Sequence, residues 1–320
     1  MVRIAFFGTP EFALPTLCRL VESSHSVVAV VTQPDRRRDR GQKTRTSPIK
    51  TFALEHQLKV FNPTQVQDAK FRQLLSDTKP DLGVIAAYGQ ILPDELLKLP
   101  PYGFINVHAS LLPDYRGAAP IQRAILDGRL ETGITIMRVV SNLDAGPILA
   151  TNSRPIALTE NALEVEQALA VIGAKLLTET VDQVLADQLR EQPQDHNAAS
   201  YAHRLKKTDG LIDWETPAMS VHNKIRALHP WPHAFTYWDR NRYLILESAP
   251  PLHPFEKQAK QSPGQIVAVN SKALVIGTGD SVGLSILKIQ PEGRRPMSIR
   301  DFVSGYHITP DAKFQSLAQV

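Results

Sequence analysis

Six short apolar runs lie between residues 3 and 156, separated by helical patterns or tight turns: "RIAFFG" (3–8), "VVAVVTQ" (27–33), "DLGVIAAYG" (81–89), "GFINVHA" (103–109), "GITIMRVV" (133–140) and "ILATNSRPI" (148–156). Parallel strands cannot be joined by a tight hairpin; they need a crossover of a dozen or more residues, usually a helix. Ser47–Gln57 and Asp68–Thr78 have helical spacing suited to such crossovers, and Thr9 and Pro10 suit the N-cap and first position of a helix directly after the first run. The alternation predicts an α/β fold with a doubly wound, mostly parallel sheet. Ligands of such sheets bind beyond the carboxyl ends of the strands.

The pattern changes in the second half. A long helical segment covers about Asn161 to Gln188, and the polar stretch "REQPQDHNAAS" (190–200) reads as a linker. One helix (Pro217–Leu228) then precedes five short strand patterns with turn residues between most of them, which predicts a small antiparallel, OB-like β-barrel. The expected organisation is a first domain over residues 1–189, a linker over 190–208 and a barrel domain over 209–320. With 42% hydrophobic and 21% charged residues the chain reads as an ordinary soluble protein. Its single cysteine, Cys18, excludes a disulfide framework and any multi-cysteine metal site. No apolar run is long enough for a membrane span, and strand-like sequence from Val2 leaves no room for a signal or transit peptide, so the cytosol is the expected compartment.

Several familiar chemistries find no motif. "FFGTPEF" has the strand–Gly–helix shape of a nucleotide loop without its further glycines or its Lys. "GTGDSVG" (277–283) lies between two strand patterns and reads as a hairpin turn. His229 and His233 have a helical metal-ligand spacing, but Pro230 and Pro232 between them prevent a helix from presenting both.

The segment "NVHASLLPDYRGAAP" (106–120) is different. Asn106 and His108 stand two residues apart at the end of a strand pattern, so they share a face. An amide and an imidazole placed there can polarise a carbonyl and hold an oxyanion. Asp144, in the turn "SNLDAGPI" (141–148), follows the next strand and belongs near the same edge, where a carboxylate orients an imidazole and favours its charged form. The three make an acyl-transfer set without a covalent nucleophile. On spacing alone, a strand-end Asn or His and a turn Asp also fit purely structural roles.

"NVHASLLP", "RGAAPIQRAI" and "ETGITIMRVVSNLDAGPIL" together resemble the folate-dependent formyltransferase family, whose pattern is N-x-H-x-S-L-L-P, then R-G-A-A-P, then an Asp in L-D-x-G. The likeness extends over nearly the whole chain to those members that act on methionyl-tRNA, through "FFGTPEFA", "VTQPDR", "SPIK", "AAYGQILP", "GLIDW" and "IRALHPWP". It implies formyl transfer from 10-formyltetrahydrofolate to the α-amino group of initiator methionyl-tRNA, with no metal. Asn106 and a protonated His108 would hold the tetrahedral oxyanion, and Asp144 would take the amine proton through a water. It also implies that Gln90, Ile91 and Leu92, Ser110, Leu111, Leu112 and Pro113, and the turn around Asp144, line the folate pocket. Relatives acting on tRNA commonly carry a basic or bulky pair after "SLLP"; this chain has Asp114-Tyr115.

The net charge is only +4, yet the segment 35–50 alone carries +5: Arg36, Arg37, Arg38, Arg40, Lys43, Arg45 and Lys50 against Asp35 and Asp39. With Gly41 and no apolar periodicity it reads as a loop, and by itself such a run is most simply a solvated surface. The resemblance makes it a tRNA-binding loop directed at the acceptor arm. Lys206 and Lys207 extend the expected tRNA surface, with Lys224, Arg226, Arg294 and Arg295 as further basic residues toward the barrel. A monomer is expected. The competing readings are an amino-sugar-nucleotide formyltransferase, a formyl-folate hydrolase, and a non-catalytic tRNA-binding protein on the same scaffold.

Overall fold

The structure, a computed structural model, describes residues 1–38, 43–186, 188, 190–251, 262–269, 273–306, 308 and 312–316, with the backbone alone for 36–38 and 43–45. The chain divides into two compact units. The first comprises Met1–Pro120, Thr132–Arg154 and Glu166–Ala202. The second comprises Ile121–Glu131, Pro155–Val165 and His203–Val320, so two excursions from the first half belong to it.

In chain order the first half carries β1 (Arg3–Gly8), α1 (Leu14–Glu22), β2 (Ser26–Val31), β3 (Arg36–Arg38), β4 (Lys43–Arg45), α2 (Pro48–Glu55), β5 (Val60–Phe61), α3 (Ala69–Ser76), β6 (Leu82–Ala86), α4 (Asp94–Leu97) and β7 (Phe104–His108). It continues through β8 (Arg116–Gly117), α5 (Pro120–Leu126), β9 (Glu131–Arg138), β10 (Ile148–Pro155), α6 (Ala162–Leu185) and β11 (Tyr201–Ala202). The main sheet runs β10-β9-β7-β6-β1-β2-β5. The five strands from β7 to β5 are parallel, and β9 pairs antiparallel to β7. β1 is buried from Ile4 to Gly8, as a strand covered on both faces requires. From β1 the chain steps outward to β2 and β5, then returns to lay β6 and β7 on the other side. The order therefore reverses between β1 and β6, and the carboxyl ends there form the crevice in which α/β sheets bind ligands.

The helices begin where local chemistry satisfies their first N–H groups. Ser47 Oγ accepts from Lys50 N–H at 3.1 Å, and Asp68 accepts from Lys70 N–H at 2.9 Å. Asn161 and Glu164 exchange a reciprocal pair at the start of α6. Thr9 departs from expectation. It caps no helix; a short 3₁₀ turn over Glu11–Ala13 intervenes before α1, with Pro10 as its cap residue. The Thr9 hydroxyl instead donates to Tyr88 O and accepts from Gln33 N–H, both at 3.3 Å, tying together the ends of three neighbouring strands.

The basic segment is also more ordered than a loop. β3 and β4 form an antiparallel pair with Arg36 opposite Arg45, Arg37 opposite Thr44 and Arg38 opposite Lys43. Arg40 lies outside the described residues. The loop reading failed because three-residue strands are too short to show a period.

The second unit holds α7 (Ala218–Ala227), β12 (Ala234–Trp238), β13 (Asn241–Ser248), β14 (Ile266–Val269), β15 (Leu274–Gly277), β16 (Gly283–Pro291), β17 (Met297–Ser298) and α8 (Ile299–Gly305). Its antiparallel sheet runs β12-β13-β16-β15-β14, with β17 beside β16. "GTGDSVG" is the hairpin turn between β15 and β16. The core gathers Trp214, Tyr243, Ile245, Ile276, Ile286, Phe302 and Phe314, and the Trp214 indole donates to Thr236 Oγ1 at 3.0 Å. The ladders do not close into a barrel, since β12 and β14 are edges. Isolated contacts from residues 312–315 reach both: Tyr237 and Gln315 exchange bonds of 3.1 and 2.8 Å, and Ile266 N–H donates to Ala312 O at 2.9 Å. Two residues expected on a basic surface serve the interior instead. Arg226 is buried and donates to the carbonyls of Ala157 and Glu160, and Lys224 Nζ donates to Leu211 O, which gives these loop carbonyls a donor inside the fold.

Candidate active site

β7 brings Asn106 and His108 to the carboxyl edge of the sheet, with Val107 turned to the opposite face. Asn106 is partly buried, and its amide makes no hydrogen bond to any described residue. His108 is 5% exposed. Its Nε2 lies 3.0 Å from Tyr115 O, so that nitrogen carries a proton and donates. Its Nδ1 faces Asp144 Oδ2 at 3.7 Å, too far for a hydrogen bond but within coulombic reach. The same Oδ2 accepts from Gly117 N–H at 2.8 Å.

The turn that carries Asp144 is tightly specified. Asp144 adopts the left-handed conformation (φ 47°), which Asp tolerates better than most residues. Gly146 is required because a Cβ there would lie 1.9 Å from Arg138 O. The turn's carbonyls at Asp144 and Gly146 accept from Gln194 Nε2 at 2.9 and 2.7 Å. Gln194 Oε1 accepts in turn from Arg116 Nε and Nη2, at 3.1 and 2.7 Å. These partners were not read as functional from sequence. Gln194 lies in the stretch that reads as linker, and Arg116 and Gly117 enter the sequence reading only through the "RGAAP" motif. The one sequence signal was the closeness of "RGAAP" to the His108 segment.

The residues expected around folate divide. Ser110 Oγ donates to Asp114 O at 2.6 Å, and Thr135 Oγ1 donates to Ser110 O and accepts from Leu112 N–H, at 2.7 and 3.0 Å. Ser110 and Leu112 are buried, and Leu111 and Pro113 partly so; together they build the turn beneath His108. The Gln90 side chain spans to Val66 N–H (3.2 Å) and Thr64 O (3.4 Å). Leu92 is buried, whereas Ile91 is 73% exposed. A 2.6 Å bond from Ser141 Oγ to Asp94 sets the loop before Asp144 beside this segment, with Val140 and Leu143 also exposed. Beneath lie Tyr88, Leu92, Phe104 and Phe7; the Tyr88 hydroxyl is buried with no hydrogen-bond partner among the described residues, and burial pushes its pKa well up. Lys206 and Lys207 are exposed on a short 3₁₀ turn of the second unit. Among the described residues no group of three or more His, Cys, Asp or Glu is placed to hold a metal, and no helix is long and apolar enough to cross a membrane.

Two family models match this sequence: formyl transferase over residues 2–181, and the formyl transferase C-terminal domain over residues 204–307. The chain belongs to the formyl transferase family. Its curated relatives include the methionyl-tRNA formyltransferase of Bacillus subtilis (strain 168), 42% identical over 96% of both chains, and that of Methylococcus capsulatus (strain Bath), 43% identical over 95% of this chain and 97% of the relative. Solved structures with the same fold include a sugar 3N-formyl transferase crystallised with dTDP and 5-N-formyl-THF (18% identity, TM-score 0.65, 92% of this chain and 99% of that one). Another is an N-formyltransferase from Helicobacter canadensis in complex with folinic acid and dTDP-3-aminofucose (18% identity, TM-score 0.63, 91% and 100%).

Proposed function

We propose that this chain transfers the formyl group of 10-formyltetrahydrofolate to the α-amino group of methionine carried on initiator tRNA. The observation that carries it is the meeting of Asn106, His108 and Asp144 at the carboxyl edge of the sheet, in a chain about 40% identical along nearly its full length to methionyl-tRNA formyltransferases.

The chemistry follows from the groups present. An esterified methionine offers an α-amino nitrogen, a group whose ordinary pKa is near ~7.7–8.0, so a useful neutral fraction exists at pH 7. That nitrogen attacks the formyl carbon, and the carbonyl oxygen becomes an oxyanion. The unengaged Asn106 amide supplies donors to it, and a protonated His108 Nδ1 supplies another. Nε2, committed to Tyr115 O, holds the ring still. Asp144 takes the amine proton through a water. The bond from the formyl carbon to the folate N10 then breaks and N10 gains a proton, so formyl and hydrogen are exchanged and no electrons are left over.

A folate ring needs apolar faces and main-chain polar groups at its edge. Ile91, Leu92, Val140 and Leu143 offer the former, and the N–H groups of Gln90, Ile91 and Leu92 donate to no described acceptor. Ser110, Leu111, Leu112 and Pro113 take part by shaping the wall rather than through free side-chain polar atoms. For the tRNA, β3 and β4 gather Arg36, Arg37, Arg38, Lys43 and Arg45 on one short hairpin, a concentration of positive charge suited to a polyanion. Arg36, Arg37, Arg38, Arg40, Lys43 and Arg45 are assigned to the acceptor arm, and Lys206 and Lys207 to a second contact. This reading uses a catalytic domain over 1–189, a linker over 190–208 and a tRNA-binding, OB-like domain over 209–320. The isolated contacts from residues 312–315 to both edge strands support the barrel geometry. The working form is a monomer in the cytoplasm.

The test is formylation by the purified protein with 10-formyltetrahydrofolate, offered charged initiator tRNA, charged elongator tRNA and an amino-sugar nucleotide in parallel. Transfer to the initiator alone is expected. Equal transfer to the amino sugar, or release of formate without an acceptor, would refute it.

A further inference from the structure

Arg116 is a buried guanidinium, 3% exposed, and among the described residues no carboxylate pairs with it. Its Nε and Nη2 both donate to Gln194 Oε1, and Nη2 also lies 3.1 Å from His196 Nδ1. This fixes the orientation of the Gln194 amide, because only its oxygen can face a cation. The amide nitrogen must then point the other way, where both its protons are used on Asp144 O and Gly146 O. Gln194 is itself buried. Every polar atom of its side chain is engaged, and its two donor bonds clamp alternate carbonyls of one turn. The residue after Arg116 holds the other end of the same aspartate, through Gly117 N–H and Asp144 Oδ2. β8 pairs in parallel with β11, so the segment leading away from Gln194 returns beside Arg116 and Gly117.

We propose that Gln194 is a positioning residue for formyl transfer, one that with Arg116 sets the Asp144 turn so that its carboxylate faces His108 Nδ1. The inference rests on the reading that Asp144 acts in the reaction. Asp144 sits in the left-handed region, which even Asp occupies at some cost, and the Gln194 clamp and the Gly117 bond are among the contacts that hold it there. Loosening the clamp moves the carboxylate relative to His108 without removing any group from the substrate pockets. Misplacement of about 1 Å typically costs on the order of 10²-fold in rate.

Gln194→Glu separates the two duties of this side chain. A carboxylate keeps the acceptor for Arg116 and adds a charge pair, but it sets an anion against two carbonyl oxygens where the amide gave two donors. The expected result is kcat lowered roughly 10- to 100-fold, KM for 10-formyltetrahydrofolate and for charged tRNA within about threefold of wild type, and a melting temperature no lower than wild type. If Gln194 only satisfied Arg116, the Glu variant would keep wild-type kcat, and that result overturns the proposal. A loss confined to KM overturns it as well. Gln194→Met, which removes both duties at similar volume, gives the same kcat loss and serves if the Glu variant does not fold. Asp144→Ala measured alongside separates the two readings: wild-type turnover there would remove Asp144 from the reaction itself, whereas its loss beside an intact Gln194→Glu enzyme refutes only the positioning role. In the Asp144→Ala background the Glu substitution should have no further effect, because Gln194 acts only through that aspartate.

Discussion

Gly146→Ala should abolish most of the activity while leaving most of the protein folded. An alanine Cβ would stand 1.9 Å from Arg138 O and 2.8 Å from Arg138 C. Carbon–oxygen contacts do not persist below 3.0 Å, so one side must move by at least about 1 Å. Arg138 is the less mobile partner. It ends β9, its residue pairs with Ile105 of β7, and its side chain bonds Glu191 and Tyr102 O at 2.7 Å each. The turn gives way instead, carrying Asp144 two residues upstream. An added ångström takes the 2.8 Å bond between Gly117 N–H and Asp144 Oδ2 beyond hydrogen-bond range, and the 2.7 Å bond from Gln194 to Gly146 O goes with it. Displacement on this scale is worth about 10²-fold in turnover, or about 2.7 kcal/mol of barrier. Formylation of charged initiator tRNA at saturating 10-formyltetrahydrofolate reads kcat, and thermal melting reads the fold. A variant that folds and keeps kcat within about threefold of wild type would show that the position of this turn does not govern the reaction.

Alanine at Asn106, His108 or Asp144 should each lower kcat by ~10²–10³ with tRNA affinity unchanged; any one that stays within a few-fold of wild type loses its assigned role. Replacing Arg36, Arg37, Arg38 and Arg40 by Ser should weaken tRNA binding and flatten its salt dependence, since each lost phosphate contact removes about 0.7–0.9 from the log–log slope; identical slopes in a salt titration would move the RNA surface elsewhere. His222 bonds Ser248 Oγ and Leu158 O at 2.8 Å each, and burial lowers its pKa below the ordinary histidine value. The unfolded chain therefore binds more protons just below that value, and stability should fall as pH drops below about 6.5. His222→Gln should flatten the melting-temperature profile between pH 7.5 and 5.5, and an unchanged slope would assign the acid sensitivity to other groups.

Short-range pattern was enough for the parallel sheet, because β1 and β6 are runs that only a two-sided interior accommodates, and Ser47 and Asp68 announce α2 and α3 through caps two or three residues away. It was also enough to nominate Asn106, His108 and Asp144, since a period of two puts the first pair on one face and a short turn follows the next strand. The hairpin of β3 and β4 escaped notice because three residues hold no usable period. Tertiary structure alone decided the rest. Arg116 is one more residue of the "RGAAP" motif until Gln194, 78 positions later, is seen against it, and Gln194 reads as linker until the Asp144 turn, 50 positions earlier, accepts both its protons. Arg226 likewise joins a basic face in sequence but spends its guanidinium on carbonyls 66 and 69 positions away. A polar side chain's periodicity and neighbours state what it is able to bond. Which partner it meets, and whether it becomes surface charge or a buried clamp, depends on how the chain returns to it, and no local pattern encodes that path.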